Sequence, residues 1–66
     1  MKRAHQKRIG ELYEQLQALI QEIEVEPSYL IEYPDHTKGP SIPVIKVDMA
    51  LATALDQLAA AAEFAR

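Results

Sequence analysis

The sequence predicts a mainly α chain in which two amphipathic helices, about residues 3–25 and 47–65, are joined by a Pro-rich linker. They fold as an antiparallel helical hairpin that assembles into a multi-helix bundle. Three observations carry this expectation. Apolar residues recur at alternating spacings of three and four toward both ends, all four prolines lie between Pro27 and Pro43, and the chain has 66 residues and no cysteine. A chain this short buries only roughly 60% of the surface its unfolded form exposes, and such domains usually lean on disulfides, metals or oligomerisation. Without cysteine, disulfides and thiolate metal sites are excluded. One small domain, 1–66, is therefore expected to find its support in association.

Helix 1 is read from Ile9, Leu12, Leu16, Leu19 and Ile23, which share one stripe of a helix. Tyr13 and Ile20 flank that stripe, whereas Glu11, Glu14, Gln15 and Gln21 fall on more polar faces. Gly10 costs about 1 kcal/mol relative to alanine, which packing must offset. Pro27 disfavours helical backbone at the residue before it, so the helix should end between Glu24 and Glu26.

Helix 2 follows Val47, Leu51, Ala54, Leu58, Ala61 and Ala65, with Leu55, Ala62 and Phe64 broadening its apolar face. Eight alanines between Ala50 and Ala65 favour helix and permit close approach of another backbone. Two starts compete: Asp48 as the cap, or Ser41 as the cap with Pro43 in the first turn. Between the helices, residues 26–46 hold two β-prone runs, Tyr29 to Tyr33 and Ile42 to Val47, separated by PDHTKGPS. A short β-hairpin and an irregular loop both satisfy this pattern, and Pro43 confines its strand to an edge or an end.

Charge is polarised along the chain. The first eight residues carry Lys2, Arg3, Lys7 and Arg8 without an acid, while the rest carry three bases and ten acids. Helix 1 thus has bases at its amino end and Glu22, Glu24 and Glu26 at its carboxyl end, the reverse of what the helix dipole favours. Antiparallel pairing with a second copy compensates. One register layers Ile9 on Leu19 and Leu12 on Leu16, and sets Arg8 beside Glu22 of the other chain. Helix 2 is a rival partner within the chain, with Glu63 near the basic end of helix 1 and Lys46 near its acidic end. Exposed pairs of this kind add only about 0.2–1 kcal/mol each, so they select an orientation.

Three groups of residues are candidate functional surface. Ile9, Leu12, Leu16, Leu19, Ile23, Leu51 and Leu58 form the expected oligomer interface. Lys2, Arg3, Lys7 and Arg8, beside His5, are suited to phosphates of a nucleotide, a nucleic acid or a lipid surface, or else form a solvated chain end. Tyr29, Tyr33, His36 and Lys38, beside Asp35, are suited to a planar anion or a protein contact, unless the tyrosines simply cover the end of the bundle. A net charge of -3 and the absence of tryptophan argue against bulk nucleic-acid binding and base stacking.

Catalysis has no visible constellation, and two histidines without ligand spacing define no metal or cofactor site. Asp48, Asp56, Gln57 and Glu63 interrupt the one apolar stretch long enough to suggest a membrane span, and no apolar run follows the basic start MKRAHQKR. The expectation is a cytoplasmic, non-enzymatic, self-associating helical module that acts as an adaptor, regulator or inhibitor of another protein. The alternative is an oligomeric binder of a nucleotide, nucleic acid or other anionic small molecule through the basic end and the linker tyrosines.

Overall fold

The computed structural model describes residues 1–66. Helix α1 spans Arg3–Glu24, a 3-10 turn spans Pro27–Tyr29, strands β1 and β2 span Leu30–Glu32 and Lys38–Pro40, and helix α2 spans Ile42–Phe64. The helices pack against each other as an antiparallel hairpin whose closed end carries the two-stranded ribbon. The result is a rod of 53 × 16 × 12 Å. Its radius of gyration is 15.7 Å, against about 11 Å for a compact chain of this length.

Pro27 ends α1 as the sequence implies. It holds Glu26 in extended backbone, φ -74° and ψ 112°. The Glu26 carboxylate then accepts from the Ser28 amide at 3.3 Å and the Ser28 hydroxyl at 2.9 Å, which caps the 3-10 turn. Ser41 accepts at its carbonyl from the Ile45 amide at 3.0 Å and opens α2. Its hydroxyl makes no capping bond, and Pro43 sits in the first turn, where a missing amide is harmless.

Two expectations change here. Helix α2 begins at Ile42 rather than 47, so the linker is shorter than 26–46 and Asp48 lies inside the helix. The β-prone run from Ile42 to Val47 is helical, because a proline in the first turn suits a helix start and Val44 packs against α1. Its place in the ribbon is taken by Lys38–Pro40, paired as Leu30 with Pro40, Ile31 with Gly39 and Glu32 with Lys38. The Ser41 amide donates to the Tyr29 carbonyl at 3.3 Å and ties the ribbon to the start of α2.

Packing between the helices is shallow. On α1 the half-buried row is Gln6, Ile9, Tyr13, Leu16, Ile20 and Ile23; on α2 it is Val44, Asp48, Leu51, Leu55, Leu58, Ala62 and Ala65. Both rows alternate spacings of three and four, as paired helices require. Tyr13 and Ile20 thus belong to the intramolecular seam, while Leu12 and Leu19 lie beside it, 51% and 44% exposed. Only Ala65 is buried, at 5% exposure. At that end the Gln6 side-chain amide donates to the Ala65 carbonyl, joining the first turns of α1 to the last of α2.

Candidate functional site

Because the seam takes one row from each helix, the hairpin has two broad faces that differ mainly on α1. On one, α1 presents Glu14, Gln17, Gln21 and Glu24, while α2 presents the exposed Ile45 and Met49 beside a cavity lined by Glu24, Leu30, Ile45 and Asp48. A shallow cavity on this side is bounded by Gly10, Glu14, Gln17, Ala59 and Arg66. On the other, α1 presents Leu12 and Leu19, and α2 presents Val47, Ala50, Ala54, Ala61 and Phe64, all exposed. Phe64 is 88% exposed. An apolar cavity of about 200 Å³ at the closed end, lined by Ile23, Tyr29, Pro43, Val44 and Val47, continues that second face.

Of the expected oligomer interface, Leu12 and Leu19 are exposed on this face, whereas Ile9, Leu16, Ile23, Leu51 and Leu58 are half-buried where the two helices of the same chain meet. Helix α2 is apolar nearly all round, with four charged residues, Lys46, Asp48, Asp56 and Glu63, in 23 positions. Sequence reasoning missed Asp48, which sits in the half-buried row with one carboxylate oxygen shielded and without a hydrogen-bond partner. The signal was there: Asp48 continues the spacing from Val44 to Leu51 as regularly as Val47 continues the neighbouring row.

The basic and linker clusters lie at opposite ends of the rod. Lys2, the cap residue of α1, and Arg3, Lys7 and Arg8 are exposed at the open end and form no ion pair within 4.0 Å. The ion pairs present are local, Arg66 with Glu63 at 3.5 Å and His36 with Glu32 at 3.4 Å. Glu63 and Lys46 therefore make no bridge to α1. A pocket combining the basic residues with the linker tyrosines does not exist within one copy.

Within the linker, the ribbon gives several side chains structural duties. The Tyr33 hydroxyl donates to the Pro40 carbonyl at 2.5 Å, and its ring lies over Gly39, where an added Cβ would stand 3.4 Å from Cε2. Tyr29 lines the apolar cavity, and Lys38 faces Glu32 across the ribbon. The turn runs through Pro34 and Asp35 to His36, whose amide donates to the Tyr33 carbonyl at 2.9 Å. His36 has φ 65°, the left-handed conformation usually filled by glycine or asparagine. His36→Gly is expected to tighten the ribbon by about 1 kcal/mol, read as a higher melting temperature. An unchanged or lower value would mean that the His36–Glu32 contact outweighs the backbone cost.

Asp35 accepts from the Thr37 hydroxyl at 2.7 Å and the Thr37 amide at 3.3 Å. These bonds hold its carboxyl below the usual carboxylate range, the hydroxyl bond foremost. The contribution to the turn is present above the unfolded pKa and is lost as pH falls through the lowered one.

No three acidic or histidine side chains gather as metal ligands, and no helix is long and apolar enough to cross a membrane. Comparison with known protein families, curated proteins and solved structures finds no match for this chain.

Proposed function

We propose that this chain is a non-enzymatic interaction module whose working surface is the uncovered apolar face of the hairpin. It assembles with copies of itself and, as an assembly, acts as an adaptor, regulator or inhibitor of another protein. One observation carries the reading. The chain exposes 5466 Å², whereas a compact monomer of 7.4 kDa exposes about 4,200 Å². The excess is roughly 1,250 Å², comparable to the ~800 Å² that each partner covers in a stable protein interface. Part of that surface is the apolar face formed by Leu12, Leu19 and Val47, where a packed neighbour would reach it; Ile45 and Met49 expose more on the other side of α2.

Sedimentation equilibrium at tens of micromolar is the direct test. The expected mass is a multiple of 7.4 kDa, with the helical circular-dichroism signal falling on dilution. A stably helical monomer across that range would remove the basis of the reading.

A further inference from the structure

The geometry points to a second copy of this chain as the occupant of the apolar face, stacked with its rod reversed so that α1 lies antiparallel on α1 and α2 on α2. This rests on the self-assembly reading above and adds to it a face, an orientation and a register.

Two hairpins that bring the same face together have two symmetric arrangements. With the two-fold axis along the rod, α1 stacks on the partner's α2 and the open ends coincide, so Lys2, Arg3, Lys7, Arg8 and Arg66 of both copies gather at one end with only Glu11 and Glu63 of each to offset them. With the axis across the rod, each basic open end lies beside a closed end where Glu22, Glu26, Glu32 and Asp35 outnumber Lys38 and Lys46. Only the second arrangement is complementary in charge, and like-charge juxtaposition selects strongly against the first.

The outer edge of the face on α1 repeats this logic at side-chain scale. Arg8, Gln15 and Glu22 are spaced seven apart on one exposed stripe beside Leu12 and Leu19. Reversal about Gln15 sets Arg8 against Glu22 twice and Gln15 against itself. The matching register on α2 centres on Ala54, placing the exposed Val47 opposite Ala61, large against small, and Leu51 near Leu58. Ala54 against Ala54 lets the two α2 backbones approach closely. The opposite face stays in water: its α1 half is Glu14, Gln17, Gln21 and Glu24, and the apolar Ile45 and Met49 of α2 stand apart from Leu12, Leu19 and Val47.

The absence of cysteine makes the test clean, since each introduced thiol is the only one. Arg8→Cys, Gln15→Cys, Glu22→Cys and, on the polar face, Gln17→Cys are each treated with a short bis-maleimide after circular dichroism confirms that they remain helical. The expected result is a band at twice the chain mass for Gln15→Cys alone and for Arg8→Cys mixed with Glu22→Cys. Neither Arg8→Cys nor Glu22→Cys should link to itself, and Gln17→Cys should remain single.

Self-linking of Arg8→Cys would overturn the reversed orientation. Linking through Gln17→Cys in place of Gln15→Cys would overturn the choice of face. In both cases oligomeric mass in sedimentation would leave the self-assembly reading standing. A monomer in sedimentation with no link at any position would overturn both.

Discussion

Leu16→Glu is expected to convert the protein to a monomer that has lost most of its helical signal. Leu16 lies at the middle of α1, half-buried in the seam with α2, on the edge of the row that also borders the apolar face. A glutamate there loses the leucine's packing and places a charge where the structure offers no partner. Truncating a packed leucine costs about 2–5 kcal/mol, and stranding a charge adds to that. The whole stability of a chain this size is only about 3–10 kcal/mol. Gln17→Glu, one position on and across the polar face, should change neither mass nor ellipticity. Retention of both oligomer and helix in Leu16→Glu would falsify the assignment of this row to the seam.

Asp48→Leu is expected to act in the opposite direction and raise the melting temperature. Asp48 interrupts an otherwise apolar row, and its shielded oxygen has surrendered water without gaining a donor. Removing an unsatisfied polar atom from such a place is worth about 1–3 kcal/mol. For a domain of this size each kilocalorie moves the midpoint by about 4–8 °C. Leucine also completes the row between Val44 and Leu51, beside Ile23 of α1 and Leu30. A fall in the midpoint would show that the carboxylate meets a donor in the assembled protein, and that the row is polar there for a purpose.

Both residues mark where sequence was and was not sufficient. The existence of two helices was legible because spacings of three and four persist over about four turns in α1 and about five in α2. The side of each helix that faces its sibling was not. Ile9, Leu16 and Ile23 belong to two neighbouring rows at once, and only Leu12 and Leu19 against Tyr13 and Ile20 separate them, all apolar. On α2 the alanines blur the distinction further, since an apolar residue stands on nearly every side. Pro43 could be read as a strand edge or a first helical turn, and packing of Val44 onto α1 decided for the helix. The turn at Pro34 and Asp35 was visible from its chemistry, but pairing through Lys38, Gly39 and Pro40 was not, because none of these residues favours a strand. Spacing alone grouped Ile9, Leu12, Leu16, Leu19, Ile23, Leu51 and Leu58, of which only Leu12 and Leu19 are exposed. Their division into half-buried and exposed members depends on the depth of the seam, which no periodicity encodes.

A fold with one buried residue also makes abundance a structural variable. A lone hairpin gives up little sheltered surface when it opens, so its folded fraction is governed by mass action with whatever covers it. Under the proposed self-assembly, dilution acts as a denaturant, and the melting temperature is expected to rise with concentration. In a cell, a protease samples the opened chain in proportion to its population. Under the same proposal, the lifetime of each molecule lengthens as more copies are made, with a threshold in dosage below which the chain is cleared and above which it accumulates.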